Sequence, residues 1–265
     1  ERVAARRWLV TLLAASLLAT VAFVASPGRV QAATASDLES TLMALVNASR
    51  ADAGLKALRT DADLVAIAGL RATRMRDANT MTHTIAGSLT AQLASAGMPW
   101  YRYGENIGYT TQPWGSRAAE SIHAGWMASP PHRALLLSTS FNYAGIGLAY
   151  RSSNGRTYAS IVFTESPDRT TARASMVGVR RSGNDATWTF TGYDPVLQTH
   201  TAGLRDFDVQ VRRGSNAWTT IRNDTTSRTY TLYDRSGGTY GVRVRATDRR
   251  GNVGPWTAEM TIWMP

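Results

Sequence analysis

Ala144-Gly-Ile-Gly-Leu-Ala-Tyr-Arg-Ser-Ser-Asn-Gly-Arg-Thr-Tyr-Ala-Ser-Ile-Val-Phe-Thr-Glu165 holds two apolar runs parted by Ser-Ser-Asn-Gly. Asn154-Gly155 between β-prone runs is a strong short-range hairpin signal, because Asn and Gly tolerate the positive φ that a tight turn needs. The reading is two strands, 144–151 and 157–165. Upstream the periodicity changes to helical. Ser36-Asp37-Leu38-Glu39 has Glu39 in capping-box position behind Ser36. Leu38, Leu42, Leu45, Val46 and Ala53 follow near helical spacing. Asp61 caps a second helix with a stripe of Leu64, Ile67, Ala68, Leu70 and Met75. A short helix over Ser88–Ala96 is stopped by Gly97 and Pro99. Another runs from Arg117 to Met127 with Ala119, Ile122 and Trp126 on one face. Pro130-Pro131 breaks it, and Ser129 then serves as N-cap for a last turn, since Pro at the first helical position sacrifices no hydrogen bond. Helices around a small sheet predict an α+β layered domain over residues 36–166.

Beyond Pro167 the texture changes. Residues 167–184 are rich in Arg, Ser, Thr and Gly and read as a linker. Short alternating stretches then recur: Trp188 and Phe190; Phe207, Val209 and Val211; Tyr230 and Leu232; Tyr240, Val242, Val244 and Ala246; and Trp256, Ala258, Met260 and Ile262. That spacing predicts an all-β antiparallel sandwich over residues 185–265.

Composition narrows the function classes. The 265 residues are 43% hydrophobic and contain no cysteine, which removes disulfides, thiolate metal sites and cysteine nucleophiles together. The net charge of +10 is spread along the chain without a block of like charge, so no nucleic-acid partner is expected. Arg2, Arg6 and Arg7 precede an uncharged apolar run, Leu9 to Ala25, followed by small-residue sites at Val30-Gln31-Ala32 and Ala33-Thr34-Ala35. This order of charge, apolar run and cleavage site reads residues 1–32 as a signal peptide and the protein as secreted, with cell-surface association open. A membrane contact follows only if that segment stays uncleaved.

"LVNASRADAGLKAL", His83, "GENIGYT", "GWMASPPHRALLL" and "YAGIGLAY" together resemble the bacterial form of the CAP superfamily (SCP-like; cysteine-rich secretory, antigen 5 and pathogenesis-related proteins). Trp188 and "TYGVRVRATDRRGNVGPW" resemble a fibronectin type III-like domain. The resemblance implies a CAP α-β-α sandwich followed by a fibronectin type III-like sandwich. It also implies a cavity lined by two histidines and two acids. Carried over, these are His83, Glu105 and His132. The second acid falls at Ser129, so the set is three-quarters present. Asn106 and Ser129 are expected beside it, Asn106 orienting Glu105 through its amide.

The residues themselves leave alternatives open. Two imidazoles and a carboxylate can hold Zn2+ or another divalent cation with one position open. The same trio can do acid–base work, with Glu105 as the catalytic candidate. At a helix start His132 favours the neutral ring. Against this, HExxH is absent, Ser129 is accounted for as a cap, and Glu105 reads equally as a loop acid facing water. His123 reads as half-buried and structural, His200 as solvated and Glu120 as exposed. Trp100, Tyr101, Tyr103, Tyr109 and Trp114 read as a cavity wall around Glu105, or as a ledge for a sugar or lipid. Arg212, Arg243 and Arg245 face outward and read as a basic stripe for an anionic cell-wall polymer, or as ordinary surface charge. The functions in competition are a secreted cavity protein binding a lipid, glycan or peptide; a metal-assisted extracellular hydrolase; and an adhesion module.

Overall fold

The computed structural model describes residues 34–233 and 237–265. The signal-peptide reading of residues 1–32 lies outside them. Among the described residues no helix is long and apolar enough to cross a membrane.

The first domain begins with α1 (Ala35–Asp52). Its N-cap is Thr34 with Asp37 as the reciprocal partner, two residues earlier than expected. Glu39 is thereby freed, and its carboxylate accepts from the Leu148 amide at 3.1 Å. Burial pushes that carboxyl up. Next come β1 (Arg59–Thr60), α2 (Ala62–Ala78, capped by Asp61) and α3 (Leu89–Ser95, capped by Ser88). β2 (Arg102–Thr110), α4 (Ser116–Ala128), α5 (Pro130–Leu136) and the hairpin of β3 (Tyr143–Arg151) and β4 (Arg156–Glu165) complete it. The sheet order is β1-β3-β4-β2, with β2 and β3 both antiparallel to the central β4.

β2 is a strand where a loop was expected, because its Gly-rich, polar sequence hides the alternation. Register restores it. Gly104, Asn106 and Gly108 face the α4/α5 layer, where Gly108 leaves room for Trp126 and Gly104 for Leu135 and Phe141. Tyr103, Glu105 and Ile107 face the other way. On β3, a Cβ at Gly145 or Gly147 would overlap the backbone of α2 at Leu64–Val65 or Ala68–Gly69. The "GIG" spacing thus seats α2 directly on the sheet. Leu38, Leu42 and Val46 of α1, with Ile122 and Trp126, fill one side of the sheet, and Leu64, Ala68 and Leu93 with Val162 fill the other. Each such buried aliphatic residue contributes about 1.5–3 kcal/mol.

The C-terminal strands are β5 (Arg173–Ser182), β6 (Asp185–Tyr193), β7 (Leu204–Arg213), β8 (Thr219–Thr225), β9 (Thr229–Leu232), β10 (Gly238–Asp248) and β11 (Met260–Met264). They form sheets β5-β6-β9 and β11-β10-β7-β8. Trp188, Phe190, Phe207, Val209, Val242 and Val244 make their shared core, as the alternation predicted. Two expectations fail. Most of the expected linker is strand β5, whose Met176/Gly178 bulge interrupts its alternation. The last strand starts at Met260, so Trp256 and Ala258 precede it.

The two parts are packed together within one compact unit, residues 33–265. Leu197, from the loop after β6, is buried in the cluster of Leu64, Ile67, Leu93 and Tyr143. Asn142 Nδ2 donates to Ser166 O at 2.7 Å and Thr199 O at 3.1 Å. His200 is exposed, as expected, and its Nε2 lies 2.9 Å from Glu165 Oε1 with Tyr101 against its ring at 4.7 Å.

Candidate functional site

α2 supplies the residue that organises the site, Arg71. Leu64, Ala68, Arg71 and Met75 form its buried stripe, and Leu70, expected inward, is 43% exposed. A guanidinium on a buried helix face needs anionic and carbonyl partners. Arg71 finds Glu105, donating through Nε to Oε1 at 2.5 Å and through Nη2 to Oε2 at 2.9 Å. It also donates to the carbonyls of His83 and Gly87 and to Gln92 Oε1. The loop between α2 and α3 is therefore wrapped around one arginine.

Glu105 is 5% exposed at its side chain, so it does not face water. Besides Arg71, Ser160 Oγ donates to Oε1 at 2.9 Å, and His83 Nδ1 lies 2.7 Å from Oε2. Both oxygens carry two partners each. With Nδ1 engaged, the His83 ring offers Nε2 to a ligand, and His83 is the exposed member of the cluster at 55%. Arg71, His83, Thr84, Gly87, Ser88, Leu89, Tyr103 and Glu105 line a cleft of about 550 Å³.

Asn106 departs from expectation. Its side chain points to the opposite sheet face from Glu105 and donates to the His132 carbonyl at 3.0 Å. It ties α5 to β2 and so positions His132. Burial first, and the charge of His83 second, hold the His132 ring below its ordinary pKa. His132 does not line the cleft. Ser129 is the residue before α5, yet its side chain makes no capping hydrogen bond. His123 is half-buried as expected, 3.0 Å from Ser49 Oγ, and burial lowers its pKa. Of the five aromatic residues expected around Glu105, Tyr103 alone lines its cleft. Trp100 and Tyr101 bound a neighbouring pocket with Tyr103, Tyr109 lies under Arg156, and Trp114 packs on Tyr150.

The ligand atoms of His83, Glu105 and His132 do not gather within 4.8 Å of one another. Glu105 already accepts four hydrogen bonds, so as a ligand or general base it would have to give up Arg71, Ser160 or His83. The donor set that remains is two imidazoles. Arg71 was missed from sequence, although its place on the stripe at i+3 from Ala68 and i−4 from Met75 was the available signal.

Residues 43–164 match the family model CAP, the cysteine-rich secretory protein family. The match covers nearly all of the first domain. The uncharacterized protein YkwD of Bacillus subtilis is 32% identical over 111 residues, 41% of this chain and 41% of that protein. An extracellular protein containing an SCP domain from Bacillus anthracis is 24% identical, covering 49% of this chain and 41% of its own, with a TM-score of 0.42. The chain thus spans about two fifths of the length of these relatives. A human FNIII domain is 19% identical over 39% of this chain and 85% of its own, with a TM-score of 0.30. The first domain holds its fold with no cysteine at all.

Proposed function

We propose that this is a secreted CAP-domain protein whose His83 cleft binds the polar head of an amphipathic, lipid-like ligand, beside a fibronectin type III-like domain. The observation that carries the reading is the continuity of two surfaces. The polar cleft of His83, Tyr103 and Glu105 meets an apolar groove of about 520 Å³ at Gly87 and Ser88. Ile67, Leu70, Ala91 and Ala96 line that groove. A ligand with a hydroxylated or anionic head and a hydrocarbon tail matches both, the head meeting His83 Nε2 and the tail covering Leu70. Residues 1–32 support secretion through their sequence. The binding reading stands above hydrolysis because Glu105 is committed to holding Arg71 and His83 in place. Any divalent metal would rest on His83 and His132, a donor pair short of the three protein ligands usual for catalytic zinc.

The test is displacement of a fluorescent fatty acid from the purified protein. Leu70→Glu is expected to weaken binding by about 30-fold by placing a charge in the groove, and His83→Ala by about 10-fold through loss of a head-group hydrogen bond. Binding indifferent to both substitutions, or no binding, removes this reading. A zinc titration run alongside is expected to show no stoichiometric tight site.

A further inference from the structure

A second polar cluster lies where the C-terminal strands meet the CAP domain. Asp168 follows β4, Asp194 follows β6, and Asp248 ends β10. One oxygen from each lies within 4.8 Å of the others, and the residues are 2%, 7% and 0% exposed. Every donor to them is electrically neutral. Asp168 Oδ1 accepts from Tyr143 Oη and from the amide and hydroxyl of Thr170, and its Oδ2 from the Ala202 amide. Asp248 accepts from the amides of Arg250 and Asn252 and from Asn252 Nδ2. Asp194 Oδ2 accepts from the Gly203 amide at 2.7 Å.

Two further observations point to a cation as the ligand of this cluster. The other Asp194 oxygen, Oδ1, is buried and has no hydrogen-bond partner. Among the described residues no Lys, Arg or His nitrogen lies within salt-bridge distance of these three acids. The adjacent Arg169 is turned to Asp61 at 2.8 Å and to the Tyr143 ring. Carboxylates this close in dry surroundings need either a counter-charge or a proton held between them.

We propose that Asp168, Asp194 and Asp248 bind a calcium ion that fastens the C-terminal sandwich to the CAP domain. The donors are all oxygen, which selects a hard cation over zinc or copper. Carboxylates from three separate segments suit the adaptable coordination of Ca2+ better than the strict octahedron of Mg2+. Asp194 Oδ1 supplies the free ligand position. Asp168 shares its carboxylate with Tyr143 of β3, so the ion bridges the two parts of the chain.

The experiment uses the full chain after dialysis against EDTA. Added CaCl2, at about a hundred times its Kd, is expected to raise Tm by roughly 5 °C or more, with one-to-one stoichiometry by calorimetry. MgCl2 at equal concentration is expected to do less. Asp194→Asn is the chosen variant because Asp248 also closes its own turn and its loss endangers folding. D194N should fold and lose the calcium shift. Tb3+ should show luminescence sensitised through Tyr143 in the parent protein, displaced by Ca2+ and absent in D194N. A silent calcium titration overturns the proposal. So does an equal shift in D194N, which places the ion elsewhere. A D194N protein that gains in EDTA what the parent fails to gain with calcium overturns it in favour of a shared proton.

Discussion

The molecule buries carboxylates in two places and treats them differently. Glu105 sits under a guanidinium from the neighbouring helix, and each of its oxygens has two partners. Asp168, Asp194 and Asp248 are as deeply buried, yet backbone amides, hydroxyls and one carboxamide are all that reach them. In the first site the counter-charge is part of the chain. The anion is then a rigid support, and the exposed group it supports, His83, is the one free to meet a ligand. In the second no basic side chain among the described residues pairs with the acids, so the balancing charge, calcium or a proton, comes from solution. Burial of an acid is therefore no signature of one role. What decides is whether a cation is built in.

The most severe way to break this contrast is to make the first site resemble the second. Arg71→Met removes the guanidinium and leaves Glu105 buried with Ser160 and His83. Breaking a buried pair in this way costs about 3–5 kcal/mol. Urea denaturation should show that loss. The double variant R71M/E105Q should recover a substantial part of it, because the orphaned charge goes as well. If R71M costs under about 1 kcal/mol, the pair is not the support described here. Loss of the Arg71 bonds to the His83 and Gly87 carbonyls should also loosen the 79–88 loop, which hydrogen exchange would report.

How far sequence could anticipate the two sites follows from the same contrast. The hairpin, α2 with its Asp61 cap, and the Trp188 and Phe190 core rest on local patterns, and local patterns are legible. His83 beside Glu105 was reached through resemblance, and the structure places them 2.7 Å apart. Arg71 was passed over because a helical period admits either position 70 or 71 inward, and the apolar Leu70 looks the better choice until Glu105 is known to be opposite. Asn106 was assigned to the wrong partner because a strand read as a loop loses its two faces. β5 was read as linker because a bulge breaks its alternation at Met176/Gly178. The aspartate cluster draws on residues 168, 194 and 248, and nothing in their local sequence announces that they meet.

A gentler perturbation is pH, which sharpens the contrast by acting on the imidazoles. His132 and His123 both have pKa values lowered in the folded protein, His132 by burial and then by His83, His123 by burial. A depressed histidine contributes stability that is fully present above its unfolded pKa, near 6.5, and is lost as pH falls through the folded value. Thermal stability should therefore decline from about pH 6.5 downward. His132→Gln should flatten part of that decline, and D194N should leave the His132 contribution unchanged. A profile identical in H132Q and the parent would mean that His132 is solvated in the folded state.

The smallest effect is expected where charge is exposed. The outward arginines of β7 and β10 are not a bare basic stripe: Arg212 pairs with Glu259 and Arg245 with Asp208. Arg243 alone of the three is held by a neutral partner, Gln210, at 2.8 Å. It is stacked between Trp218 at 4.3 Å and Trp256 at 5.0 Å, with Arg212 and Arg245 against the same two rings. The arrangement is a ladder of alternating arginine and tryptophan whose charge is largely spent within the domain. Two cation–π contacts at partly exposed positions are worth about 1–2 kcal/mol together. Arg243→Gln should cost that much by chemical denaturation, and Arg243→Lys nearly as much, since the ammonium loses the planar stack. Binding to an anionic polymer such as a teichoic acid should change little in R243Q, because one net charge is removed from a surface already paired. A large loss of such binding would instead show that Arg243 is the contact an adhesive surface depends on.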